Sequence, residues 1–136
     1  MARNRVRGAL RGALYLLLML VVAAGCGPAP RTVTEVDRGS QVHLRVGQTL
    51  EVRLAANPTT GYTWDLTAVD RTVLQPVGEP RFERGRQQAL GSGGTMIWTF
   101  RAQAPGTTVL RLEYRRFWEA QSPPADTFEI TVQVDA

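Results

Sequence analysis

At 136 residues, 43% of them apolar, the chain has room for one domain with an ordinary core. Its formal charge of +4 overstates how basic that domain is: four of the sixteen arginines, Arg3, Arg5, Arg7 and Arg11, sit in the first dozen residues, and the other twelve face twelve acids. That balance excludes the basic footprint of a nucleic-acid binder, and a single cysteine, Cys26, excludes a fold stapled by an internal disulfide.

The four early arginines precede an apolar run over 14–24, which ends in Ala23-Ala24-Gly25-Cys26. A bilayer span needs about 20 apolar residues, so residues 1–25 read as a secretory signal, with a transmembrane anchor as the alternative. The end of the run resembles the lipobox of bacterial lipoproteins, with Ala23 where that pattern prefers Leu. The resemblance implies that Cys26 is lipidated, becomes the first residue of the mature chain and anchors an exported protein to the bacterial membrane or envelope. Simple cleavage leaving a free thiol is the other reading. Residues 26–40, opening with Gly27-Pro28-Ala29-Pro30, are then a tether, and 41–136 the domain.

From Gln41 onward the periodicity is two. Val42, Leu44 and Val46 alternate with His43 and Arg45; after Gly47-Gln48, Leu50, Val52 and Leu54 alternate with Glu51 and Arg53. The pair reads as a hairpin. The segment Asn57-Pro58-Thr59-Thr60-Gly61-Tyr62-Thr63-Trp64 then combines a turn-initiating Asn-Pro, two hydroxyls, a permissive Gly and two aromatics, which suits an exposed tip between strands. Tyr62, Trp64 and Leu66 continue the alternation. Residues 73–82, broken by Pro76, Gly78 and Pro80, read as an edge strand, and the polar, Gly-rich passage 83–95 holds nothing for a core.

Met96, Trp98 and Phe100 alternate with Ile97, Thr99 and Arg101, and Pro105-Gly106 turns the chain into Leu110, Leu112 and Tyr114 on one face with Arg111 and Glu113 on the other. A loop over 116–126 carries Phe117, Trp118 and Pro123-Pro124, and Phe128, Ile130, Val132 and Val134 line the last strand. About seven short strands without a convincing helix predict an all-β fold, an immunoglobulin-like antiparallel β-sandwich with no disulfide. If successive strands run up and down, the three unusual connections, 57–64, the Gly-rich passage and 116–126, meet at one end. Two connections at the other end, Gly47-Gln48 and Pro105-Gly106, are tight and plain, and this asymmetry marks a binding edge.

Together the segment 57–64, Gly91-Ser92-Gly93-Gly94 and Arg116-Phe117-Trp118-Glu119 resemble the three signature loops of chagasin-family inhibitors of papain-like cysteine peptidases, in the same order over most of the domain. In the third loop the family usually has Pro where this chain has Phe117. The resemblance implies a reversible, non-covalent inhibitor that wedges three loops across a peptidase cleft. Its contact set is Asn57, Pro58, Thr59, Thr60, Gly61 and Tyr62 from the first loop, Gly91, Ser92, Gly93 and Gly94 from the second, and Arg116, Phe117 and Trp118 from the third. Thr59 and Thr60 would lie nearest the catalytic Cys-His pair, the glycines along one side of the cleft and Trp118 against its other rim. Tyr62 and Trp64 are ambiguous, because as residues on one strand face they suit the core better than a contact.

Residue chemistry argues against an enzyme. The lone histidine, His43, alternates outward, the lone cysteine is at the processing site, and neither a nucleophile, base and acid set nor a metal-ligand cluster can be assembled. Catalytic residues, cofactors and metals are therefore expected to be none. The expected partners are a papain-like peptidase and, through Cys26, a membrane, with no nucleic acid and a monomeric domain. The rival readings are a non-inhibitory envelope module that holds a protein partner by the same edge, and a structural lipoprotein spacer.

Overall fold

A computed structural model describes residues 27–86 and 91–136. Cys26 and the apolar run 14–24 lie outside the described residues, and among the described residues no helix is long and apolar enough to cross a membrane. The described chain forms nine strands: β1 (Arg31–Val33), β2 (Gln41–Arg45), β3 (Thr49–Ala56), β4 (Tyr62–Ala68), β5 (Leu74–Pro76), β6 (Arg81–Arg84), β7 (Gly94–Ala102), β8 (Gly106–Arg116) and β9 (Asp126–Asp135). Three single-turn 3-10 segments punctuate them.

The strands form two sheets. One runs β1-β3-β7-β5, with β6 pairing a second stretch of β7, and the other runs β2-β9-β8-β4. The apolar residues alternate inward from both, as the sequence pattern requires. Leu50, Val52, Leu54 and Phe100 from the first sheet meet Leu44, Leu110, Leu112, Phe128, Ile130 and Val132 from the second, all but fully buried. Burial of a side chain such as Phe100 or Phe128 contributes roughly 2–3 kcal/mol, and a core of this kind holds the sandwich without a cross-link.

Several local expectations are corrected. Residues 41–54 do not form a hairpin. The turn at Gly47-Gln48 instead carries the chain from one sheet to the other, because β2 pairs with β9, in parallel, and β3 pairs with β7. Val46 is accordingly exposed in the turn. The sandwich is not wholly antiparallel, since β1 also runs parallel to β3. That strand shortens the expected tether. Val33 is fully buried, and Gln48 Nε2 donates to the Ala29 carbonyl at 2.7 Å, so the folded unit begins by Arg31 rather than at Gln41.

Residues 73–82 do lie along the free edge, divided into β5 and β6 where the prolines interrupt the ladder. The Gly-rich passage is narrower than expected, because Glu83 and Arg84 belong to β6 and Gly94 and Thr95 to β7. Ile97 departs from the alternation, being buried on the outer face of its sheet. It stands in register with Arg53 and Arg81. Those arginines bridge to Glu51 and Glu83, and the two carboxylates push the Arg53 pKa upward, so a charged lattice covers this side of the sheet.

Direction matters for the site. β3 and β8 end at one pole, where β4 and β7 begin: Ala56 pairs with Gly94 and Tyr62 with Arg116. At the opposite pole lie the start of β1, beside Leu50, and the end of β9 at Asp135, beside Arg45.

Candidate functional site

The first loop is a 3-10 turn over Pro58–Thr60. Asn57 caps it: its Oδ1 accepts from the Thr59 amide at 3.3 Å and the Thr59 hydroxyl at 2.6 Å. Pro58 at the first helical position has no amide to leave unpaired and a pre-set φ. Gly61 closes the turn at φ 81°, in the left-handed region an L side chain avoids. The Thr60 hydroxyl donates to the Asn57 carbonyl at 2.6 Å. Both threonine protons are therefore spent inside the loop, and the exposed tip offers hydroxyl oxygens as acceptors.

Polar and steric contacts tie the three loops together at this pole. Asn57 Nδ2 donates to the Gly91 carbonyl at 3.0 Å, linking the first loop to the Gly-rich one. Arg116 Nε donates to the Thr60 carbonyl at 3.0 Å, linking the first to the third. The Arg116 guanidinium lies 4.4 Å from the Tyr62 ring centre and 5.7 Å from that of Trp118. Trp118 in turn lies over Gly61: a Cβ built there would come within 3.2 Å of indole Cζ2 and Cζ3 and closer still to Cη2. The unusual connections thus meet as one unit, as strand order implied.

The thirteen loop residues separate into two sets. Pro58, Thr59, Thr60, Gly91, Gly93, Phe117 and Trp118 are exposed; Asn57, Gly61, Tyr62, Ser92, Gly94 and Arg116 are half-buried. Asn57 and Arg116 use their polar groups as internal braces. The Gly-rich loop needs its glycines for its own packing. A Cβ on Gly93 would fall 2.9 Å from the Ala56 carbonyl oxygen, and one on Gly94 would run into Phe82 Cζ at 2.7 Å and the Glu83 carbonyl. Trp64 is core, 2% exposed, with Nε1 donating to the Ala55 carbonyl at 2.9 Å.

Two residues that the sequence did not single out hold the site in place. Tyr114 is sandwiched between Tyr62, at 5.2 Å, and Trp64, at 4.9 Å, and its hydroxyl accepts from the Asn57 amide at 2.9 Å. An amphipathic ring at the loop end of an apolar strand face was the available signal. Arg115 alternates outward like a surface residue, yet its guanidinium turns into the third loop, donating to the carbonyls of Ala120 at 3.1 Å and Ser122 at 3.4 Å while pairing with Glu113. Nothing local announces that role. Among the described residues no group of three or more metal-ligating side chains comes together.

The fold has counterparts among solved structures. The cysteine protease inhibitor EhICP2 from Entamoeba histolytica superimposes with a TM-score of 0.69 at 21% identity, over 80% of this chain and all of that one. PbICP-C, solved in complex with falcipain-2, does so at 0.59 and 20%, over 77% of this chain and 99% of its own. In sequence, Chagasin of Trypanosoma cruzi is 27% identical over 106 residues, 76% of this chain and 96% of that protein. The family model described as Chagasin family peptidase inhibitor I42 matches residues 43–132, well over half of the sequence. The chain belongs to the chagasin family of peptidase inhibitors.

Proposed function

We propose that this protein is a reversible, non-covalent inhibitor of papain-like cysteine peptidases and that its three braced loops block the active-site cleft. The observation that carries the proposal is the bracing itself: Asn57 to Gly91, Arg116 to Thr60, and Trp118 against Gly61. A wedge already ordered in the free protein loses little conformational entropy on docking.

The first loop also explains how a peptide can occupy a peptidase without being cut. A cleavable segment must lie extended with its carbonyl free to be attacked. Here the chain is coiled in a 3-10 turn, and three tip carbonyls are already engaged. That of Asn57 accepts from the Thr60 amide at 3.2 Å, that of Pro58 from the Gly61 amide at 3.1 Å, and that of Thr60 from Arg116. Extending the turn would break these bonds and the packing of Trp118 together. No group on the inhibitor performs chemistry; it is not an enzyme.

The exposed residues Pro58, Thr59, Thr60, Gly91, Gly93, Phe117 and Trp118 are the proposed contact surface. Asn57, Arg116, Tyr114 and Arg115 position it. The deciding experiment is titration of the purified protein against a panel of papain-like peptidases, following hydrolysis of a fluorogenic peptide. Tight, reversible inhibition is expected. A folded sample that leaves every enzyme in the panel active would instead favour a non-inhibitory envelope module.

The leader supports a second part of the proposal, that the protein is exported and anchored through a lipid on Cys26. Metabolic labelling with a radioactive fatty acid should mark the wild type and not Cys26→Ser. An unlabelled wild-type chain would remove the anchor while leaving the inhibitory reading untouched.

A further inference from the structure

Where the family resemblance leads one to expect Pro in the third loop, this chain places Phe117. Proline would have stiffened the loop by fixing φ. Here hydrogen bonds brace the loop: Arg115 donates to the carbonyls of Ala120 and Ser122, the Ser122 amide to the Glu119 carbonyl at 2.9 Å, and the Ala125 amide to the Tyr114 carbonyl at 2.8 Å. The ring of Phe117 is consequently not needed to hold the loop. It is 78% exposed, with its centre 4.8 Å from that of Trp118 and its plane at 90° to the indole.

Among the described residues these two are the only exposed aromatics. The other large exposed apolar side chains are valines at positions 36, 46, 77 and 109, spread over other elements. The charges flanking the pair in sequence are turned to one another, since Arg116 Nη1 lies 3.4 Å from Glu119 Oε1. The edge of the wedge therefore presents two uncharged rings facing different directions on a fixed loop. A partner that covers both must offer a flat surface to the indole and, beside it, an apolar recess to the phenyl ring. A charged or strongly polar group in that place would be stripped of water with nothing to pair with it.

We infer that Phe117 is a selectivity-determining anchor: it favours papain-like peptidases whose cleft rim carries an apolar recess next to the seat of Trp118, and it disfavours those with charge there. The inference rests on the inhibitory reading and names which members of the target class it applies to.

The test takes the purified full chain with Phe117→Ala and Phe117→Leu, and a panel of papain-like peptidases sorted beforehand by whether that part of the rim is apolar or charged. Phe117→Ala is expected to raise Ki about tenfold or more on the apolar-rim enzymes, mainly through faster dissociation, and by less than about threefold on the others. Phe117→Leu should recover most of the loss, and melting temperatures should match that of the wild type. An equal loss across the panel, or no loss anywhere while the wild type still inhibits, overturns the inference and leaves the inhibitory function standing. A wild-type protein that inhibits none of the panel removes both.

Discussion

Gly61→Ala probes the bracing of the wedge more directly than any exposed change, because it acts in two separable ways. The first is on the backbone: at φ 81° an L residue costs about 1–2 kcal/mol, which for a domain of this size lowers Tm by roughly 5 °C or more. The second is on Trp118. Carbon atoms pack at about 3.5–4.0 Å, and the new methyl would sit within 3.2 Å of two indole carbons, so the ring must swing away. With Trp118 57% exposed that swing costs little stability, yet it displaces a residue of the type that most often dominates interfaces. Losing the Trp118 contact is worth on the order of 2 kcal/mol, or about 30-fold in Ki.

A double-mutant cycle with Trp118→Ala separates the two effects. Inhibition constants for wild type, both single variants and the double variant are measured on one peptidase, with melting temperatures on the same samples. Gly61→Ala should raise Ki about 10- to 30-fold when Trp118 is present and by no more than about threefold when it is absent, while its thermal cost is the same in both backgrounds. Equal factors in both backgrounds would refute the reasoning, because Gly61 would then not act by seating the indole.

Removing the guanidinium while keeping an apolar stem, as in Arg116→Met, should weaken inhibition about tenfold through loss of the Thr60 clamp; unchanged dissociation kinetics would count against that clamp. Tyr114→Phe deprives the Asn57 amide of its acceptor and should lower stability by about 1 kcal/mol, with faster hydrogen exchange at that amide. Phe100→Ala empties a fully buried site and should cost about 3–5 kcal/mol by urea denaturation.

Asp65 supplies a pH signature. Partial burial, with a contribution from Glu113 opposite it and against the pull of Arg115, raises its pKa above the ordinary carboxylate value. Between the unfolded and folded pKa values the native state holds the extra proton, so stability falls as pH rises through that window. Asp65→Asn should remove this slope and make the domain more stable at neutral pH; urea midpoints between about pH 3 and 7 test it.

The strands of this fold were legible because side-chain alternation is a local property. Leu50, Val52 and Leu54, or Phe128, Ile130 and Val132, carry their orientation in their spacing. Which sheet a strand joins is not local. Val42 and Leu44 lie one turn away from Leu50, yet pair with Val132 and Val134 across the whole length of the domain. No turn signal records that choice. Arg31-Thr32-Val33 was too short for a period to show, and Ile97 reads as an outward residue until the arginines beside it are seen. The loop motifs marked segments that the fold brings together at one pole, while their internal division of labour was hidden. Asn57 and the glycines 93 and 94 have the composition of a contact loop, but Asn57 donates to the Gly91 carbonyl, and a Cβ on either glycine would strike the protein's own backbone.

The parallel entry of β1 has a geometric consequence. Arg31 lies beside the first residues of β3, and the eight residues of β3 carry the chain to the opposite pole, a rise of about 25 Å at strand spacing. Any support gripping the polypeptide ahead of Arg31 would lie at the foot of the domain, with Trp118 and Thr59 on its far tip. A docking enzyme could then reach that tip at the end of the domain remote from the support.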